Sequence, residues 1–150
     1  MTHTWSSPSN IALVKYWGKH GQQLPSNPSI SFTLSNCRST TSMSLKEGKG
    51  FTVALNGVDK PAFAAKIQTW FDQIDDRLPW LKDHHVTIES SNSFPHSSGI
   101  ASSASAFSAM ALCLLDHARK AGLSTMSSDF TQEASLLARL GSGSASRSVM

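Results

Sequence analysis

One stripe of apolar residues limits the folds open to this chain more than any other feature. Between residues 100 and 122, Ile100, Ala104, Phe107, Ala111, Leu114 and Leu115 recur at helical spacing. The spacing predicts a long helix that ends at Gly122, a residue suited to the position just past a helix terminus. So apolar a helix needs a broad surface to pack on. The upstream sequence supplies one, because its apolar residues recur every second position. Ser29 to Leu34 alternates, with Ile30, Phe32 and Leu34 on one face. Thr40 to Leu45 alternates again, and Phe51 to Leu55 runs into the turn pair Asn56-Gly57. Ile11 to Trp17 reads as a buried strand, apolar on both faces until Lys15. From Pro61 to Leu78 the period becomes helical, through Phe63, Ile67, Trp70, Phe71 and Ile74, with Pro61 suited to a helix start. His85 to Ser90 is one more strand, with Val86 and Ile88 inward, and residues 128–140 form a third helix. This order gives an α+β fold in which helices cover one face of a mixed sheet.

Composition removes several function classes. The chain has 150 residues, which suits one domain or a piece of a larger one. Thirteen Lys and Arg against ten Asp and Glu leave a net charge of +3, with no basic run of the kind that marks a nucleic-acid arm. The longest apolar run, Ala109 to Leu115, is too short to span a bilayer, and Met1 to Trp5 has no signal-peptide pattern. Neither nucleic acid nor membrane is therefore an expected partner; a small anion suits the charge better. Cys37 and Cys113 lack metal spacing and read as free thiols in a reducing cytoplasm. His84 and His85 point to opposite faces of a strand, and His3, His20, His96 and His117 are scattered, so no histidine metal site is expected. Asp72, Asp75 and Asp76 read as the solvated face of the first helix.

Three segments have the residue types for chemistry. In Phe94 to Ala104 a strand ends, a Gly/Ser-rich turn follows and the long helix begins. Helix N-termini present unpaired N–H groups and the positive dipole end, and a turn of small residues lets them approach phosphate oxygens. A serine N-cap would account for one or two of these serines but not for four. In Ser9 to Lys19, Lys15 and Lys19 stand with the Tyr16 hydroxyl and the Trp17 indole, a set that can wall an anion site; an edge strand with snorkelling lysines is the plainer reading. In Gly141 to Ser148, small residues expose backbone N–H groups beside Arg147, which grips carboxylate or phosphate bidentately. A flexible tail is the plainer reading there.

Together the three segments closely resemble the diphosphomevalonate decarboxylase family of the GHMP kinase superfamily. Pro95-x-x-x-Gly99-Ile100-x-Ser102-Ser103-Ala104 is similar to the superfamily's ATP phosphate loop. Asn10-Ile11-Ala12 with Lys15-Tyr16-Trp17-Gly18-Lys19, then Leu24-Pro25-x-Asn27-x-Ser29-Ile30-Ser31-x-Thr33-Leu34, resembles the decarboxylase branch. Gly141-Ser142-Gly143-Ser144-Ala145-x-Arg147-Ser148 is the third matching block. His96-Ser97-Ser98 departs from a more usual Thr-Ala-Ala, and Ser146 stands where many members have Cys.

The resemblance implies the superfamily's N-terminal lobe, like the second domain of ribosomal protein S5, with an unusual left-handed βαβ crossover. It implies an enzyme that uses ATP and Mg2+ to phosphorylate the tertiary hydroxyl of mevalonate 5-diphosphate. Phosphate and CO2 then leave to give isopentenyl diphosphate. By that resemblance Pro95, Ser97, Ser98, Gly99, Ile100, Ala101, Ser102 and Ser103 hold the nucleotide, with Ser103 a candidate Mg2+ ligand. Asn10, Tyr16, Trp17, Gly18, Lys19 and Lys66 hold the substrate, Lys66 standing where family members carry an arginine. Ser142, Gly143, Ser144, Ala145, Ser146 and Arg147 hold its mevalonate end, with Lys15 and Arg147 catalytic. The family's catalytic aspartate belongs to a C-terminal lobe beyond these residues, so the 150-residue piece alone is expected to be inactive. Relatives are often homodimers, an expectation by analogy. A phosphomevalonate decarboxylase or a mevalonate 3-kinase would share this scaffold, and a nucleotide- or RNA-binding module is the alternative of another class.

Overall fold

The N-terminal strand begins well before the apolar run that marks it in the sequence. In a computed structural model, which describes residues 1–95 and 100–149, strand β1 spans Thr2–Val14. The short β2 (Lys19–His20) and β3 (Leu24–Pro25) form a separate ribbon. The two alternating segments 29–34 and 40–45 belong to one long strand, β4 (Ile30–Glu47). Next come β5 (Phe51–Leu55), β6 (Val58–Asp59), helix α1 (Pro61–Ile74), a 3-10 turn at Pro79–Asp83 and β7 (His84–Asn92). Helices α2 (Ser102–Ala121) and α3 (Phe130–Gly141) follow, and a second 3-10 turn at Ala145–Ser148 ends the described chain.

The main sheet has the order β1-β4-β7-β5-β6. All its pairs are antiparallel except β5 with β7, whose connection runs through β6, α1 and the first 3-10 turn. The fold is therefore α+β with a mixed sheet, as the periodicity predicts. Helix starts and stops also follow the sequence signals. Pro61 opens α1, the Asp129 carboxylate caps α3 by accepting from the Gln132 amide, and Gly122 ends α2 in a left-handed conformation (φ 67°).

Burial follows the alternation in β4. Thr41, Met43 and Leu45 point into the core, while Ser42 and Ser44 point away from it. On the outer face, Thr4 meets Ser42 at 2.8 Å and Thr52 meets Thr87 at 3.4 Å, cross-strand hydroxyl pairs suited to solvent. On the inner face, α2 is buried from Ala104 to Ala118. Trp70 of α1 ties the helices together by donating its indole N–H to the Leu137 carbonyl of α3 at 2.8 Å. Arg77 grips the buried Glu133 with two hydrogen bonds of 2.9 and 3.1 Å. At the end of α3, a side chain on Gly141 would lie 2.1 Å from the ring of Phe107, so only glycine lets α3 approach α2 this closely.

Two expectations are corrected here. The strand predicted as buried over Ile11–Trp17 stops at Val14, and Ile11, Leu13 and Val14 are 40, 61 and 49% exposed. Burial in β1 belongs instead to His3 and to Ser7 through Asn10. The register shifts between Pro8 and Ser9, where the β4 partner jumps from Arg38 to Leu34. Ile11 and Val14, past that shift, pair only with Phe32 and Ile30, which are each 60% exposed.

The histidines are also less scattered than the sequence suggests. His3 donates from Nδ1 to the Asp116 carboxylate at 2.8 Å, which leaves its Nε2 to accept from His117 Nδ1 at 3.2 Å. His84 stacks edge-on against His117. No group of three or more His, Cys, Asp or Glu suited to a metal ion occurs among the described residues. Both cysteines are free, and burial pushes the Cys113 thiol up to about 12.

Burial lowers the His117 pKa below the ordinary 6.5, and His3 and His84 lower it further. Burial alone would raise the Asp116 carboxyl, but hydrogen bonds from Lys120 and His3 outweigh it and hold the pKa below 3.8. A depressed histidine pKa means that, below 6.5, the unfolded chain binds a proton that the folded chain refuses. Unfolding free energy is therefore expected to be level above pH 6.5 and to fall as the pH drops through that value. Urea unfolding between pH 8 and pH 5 checks this, and His117→Gln should flatten the slope. A pH-independent wild-type midpoint would contradict it.

Candidate functional site

The end of β1, the start of α2 and the last 3-10 turn meet around one cavity of about 520 Å³. Asn10, Ile11, Ala12, Lys15, Tyr16, Ala101, Ser144 and Arg147 line it. All three segments singled out in the sequence contribute, although more than 130 residues separate Asn10 from Arg147.

Each functional side chain has an identifiable support. Asn10, buried in β1, donates from Nδ2 to the Ser148 hydroxyl at 3.0 Å and so joins the strand to the terminal turn. Arg147 donates from Nη1 to Ser31 Oγ at 2.9 Å. A guanidinium has five N–H donors, so this anchor leaves others for an anion. Lys15 is exposed just past β1 rather than trapped within a buried strand. Asn27 holds the segment from Lys15 to Trp17: its Oδ1 accepts from the Trp17 amide at 2.6 Å, and its Nδ2 donates to the Lys15 carbonyl at 3.2 Å. Ser29 donates to the Val14 carbonyl at 2.6 Å. Lys19 lies 5.8 Å from the Tyr16 ring centre and donates to Gln23 at 2.6 Å.

The terminal segment fits closely under this loop. A Cβ on Gly143 would stand 2.7 Å from Tyr16 Oη and 3.3 Å from Lys19 Nζ. Lys15 and Arg147 give the cavity positive charge, and no carboxylate lines it among the described residues. The arrangement can bind and orient an anion. Among its described lining residues there is no carboxylate or histidine to take a proton from an alcohol.

A second cavity of about 290 Å³ lies on the other side of the α2 terminus. Leu55, Lys60, Ala62, Phe63, Lys66, Asn92, Ser102, Ser103 and Ala106 line it. The N-cap residue is Ala101, which offers no side-chain cap, so Ser102 and Ser103 sit inside the first turn. A simple serine cap does not explain them. Ser103 Oγ meets Ser142 Oγ at 3.3 Å, linking the helix start to the terminal segment.

Several candidate residues lie elsewhere. Lys66 lines the second cavity and not the one around Lys15 and Arg147. Ser146 lines a shallow cleft with Asp129, Gln132 and Ser135 on the α3 side. Trp17 is 79% exposed, and among the described residues only its backbone amide is held. Ala145 is buried, and Gly18 lies exposed between Trp17 and Lys19. Pro95 is exposed and Ile100 half-buried, while Ser97, Ser98 and Gly99 lie outside the described residues. Asn27, Ser31 and Ser148 fall within the matching sequence blocks without a predicted role, and each supports the site.

The model of the diphosphomevalonate decarboxylase-like N-terminal domain matches residues 7–150. The chain belongs to this family. A diphosphomevalonate decarboxylase of Gibberella zeae is 37% identical over 160 residues, covering 96% of this chain and 40% of that protein. The human diphosphomevalonate decarboxylase is 34% identical over 163 residues, covering 97% and 38%. Among solved structures, the mevalonate diphosphate decarboxylase of Staphylococcus aureus superposes with a TM-score of 0.77 at 36% identity, covering 99% of this chain and 44% of that one. A structure of MDDEF in complex with MVAPP, AMPPCP and magnesium reaches 0.79 at 31% identity, covering 98% and 43%. The chain thus spans about 40% of the length of the curated relatives it matches. The similarity covers the α+β lobe and both cavities.

For this family member, Gly143→Ala is expected to press a methyl against Tyr16 and Lys19 and weaken binding of inorganic pyrophosphate about tenfold. Calorimetric titration of both proteins checks it, with thermal melts to compare their folding. Unchanged affinity would contradict the packing account.

Proposed function

We propose that this chain is the nucleotide- and substrate-binding lobe of a diphosphomevalonate decarboxylase. The proposed reaction uses ATP to phosphorylate the tertiary hydroxyl of mevalonate 5-diphosphate, after which phosphate and CO2 leave. The observation that carries this reading is the pair of cavities on either side of the first turn of α2, one with Lys15 and Arg147 and one with Ser102, Ser103 and Lys66. Phosphoryl transfer needs its donor and acceptor held side by side with their charge offset, and little else from the protein.

The residue chemistry supports these assignments. Arg147, held by Ser31, suits the substrate carboxylate, with Ser144 beside it. Tyr16 and Lys19, packed over Gly143, suit a diphosphate. Lys15 has the charge to stabilise a developing alkoxide. The start of α2, which has no side-chain cap, suits the ATP phosphates through its positive dipole end and the Ser102 and Ser103 hydroxyls, with Lys60 and Lys66 beside them. Mg2+ supplies charge neutralisation on those phosphates when bound, and Ser103 is the hydroxyl suited to hold it. A group that deprotonates or orients the hydroxyl has to come from outside the first cavity's described lining, and the proposal assigns it to a C-terminal lobe. The piece by itself then binds both ligands without turnover. A cytoplasmic location and a homodimer belong to the same proposal, the first on the two free cysteines and the second on analogy alone.

Calorimetry with mevalonate 5-diphosphate and mevalonate 5-phosphate tests the substrate. The diphosphate is expected to bind about tenfold more tightly, and Arg147→Gln to weaken both by a similar factor. Tighter binding of the monophosphate would favour a monophosphate-specific sister enzyme, and equal affinity or no binding of either would overturn the diphosphate assignment.

A further inference from the structure

Between the end of β1 at Val14 and the start of β2 at Lys19 the chain belongs to no strand, yet Lys15 and Tyr16 in this stretch line the first cavity. One side chain holds the stretch in place. The half-buried Asn27 accepts at Oδ1 from the Trp17 amide at 2.6 Å and donates from Nδ2 to the Lys15 carbonyl at 3.2 Å. Its second Nδ2 hydrogen goes to the Pro28 carbonyl at 2.8 Å. Two carbonyls at one end and an amide at the other fix the orientation of the carboxamide, because turning it over would set oxygen against oxygen.

The bonds to Lys15 and Trp17 straddle Tyr16. In an antiparallel ladder the C=O before a residue and the N–H after it point to the same neighbouring strand. Asn27 thus continues, through its side chain, the pairing that β1 and β4 end at Val14 and Ile30. Both ends of the stretch are tied as well. Ser29 Oγ donates to the Val14 carbonyl at 2.6 Å, and the Ser26 amide donates to the Gly18 carbonyl at 3.2 Å. Tyr16 therefore sits between fixed points, with its Oη only 2.7 Å from where a Cβ on Gly143 would stand.

We propose that Asn27 is a positioning residue for the substrate diphosphate: its carboxamide sets Tyr16, and through Tyr16 the hydroxyl that the diphosphate meets. The proposal rests on the anion reading of the first cavity. It adds a residue that is not among the described lining of that cavity and acts through one that is.

The test titrates inorganic pyrophosphate by calorimetry against the unaltered chain, Asn27→Ala, Asn27→Asp, Tyr16→Phe and the double variant Tyr16→Phe with Asn27→Ala. ATP titrations and thermal melts run alongside. Asn27→Ala is expected to weaken pyrophosphate binding about tenfold. Asn27→Asp is expected to weaken it at least as much, since it keeps the acceptor for Trp17 but turns a carboxylate oxygen on two carbonyls. ATP affinity should be unchanged in both variants. Once Tyr16→Phe has removed the hydroxyl, adding Asn27→Ala is expected to weaken pyrophosphate by no more than about twofold, the non-additivity of residues that act as one. A merely structural staple would weaken ATP and pyrophosphate together, and a residue acting apart from Tyr16 would lose the same factor in either background. Either result overturns the proposal, as does unchanged pyrophosphate affinity in Asn27→Ala or Asn27→Asp. If the unaltered chain binds no pyrophosphate, the anion reading of the first cavity itself fails and the role of Asn27 with it.

Discussion

The contact between the last turn of α3 and the ring of Phe107 determines where the terminal segment can go. Gly141 leaves no space between them, so α3 packs directly on α2 and releases the chain beside the helix start. The following residues reach Ser103, then pass beneath Tyr16 and Lys19 at Gly143, and close on Asn10 through Ser148. A bulkier residue at 141 would move this whole series away from β1. The site therefore depends on a packing contact in the core and not on flexible loops finding each other.

Helix α2 is the other shared element. Its middle is buried on nearly every side, against the sheet and against α3, so its N-terminus has little freedom. That terminus separates a cavity carrying Lys15 and Arg147 from one carrying Lys60 and Lys66. Two positively charged spaces beside the positive dipole end of one helix suit two anionic ligands that must lie close without mixing.

Much of this was legible in the sequence, for physical reasons. Helical and alternating periods depend on which face is buried, and α2, β4 and β7 have well-separated faces. The Gly/Ser-rich helix start stood out because one cap needs fewer serines, whereas the segments around Lys15 and Arg147 had plainer structural readings and gained weight only from the family resemblance. Ile11 to Val14 misled because an apolar run does not say what covers it, and past the register shift at Ser9 this strand pairs with an exposed one. The clustering of His3, His84 and His117 depends on long-range strand and helix packing that no local pattern reports. Lys66 matched by spacing from a turn, but the position of α1 decides which cavity it lines.

The central claim is that two different anions bind on opposite sides of one helix terminus. Amide chemical-shift mapping of the isotopically labelled chain with mevalonate 5-diphosphate and with ATP, added separately and together, tests it most directly. The account predicts that mevalonate 5-diphosphate shifts Asn10, Lys15 to Lys19 and Ser142 to Arg147. It predicts that ATP shifts Leu55, Lys66, Asn92 and Ser102, and that the two sets add when both ligands are present. Competition between the ligands for one set of residues, or ATP shifts centred on Arg147, would contradict it.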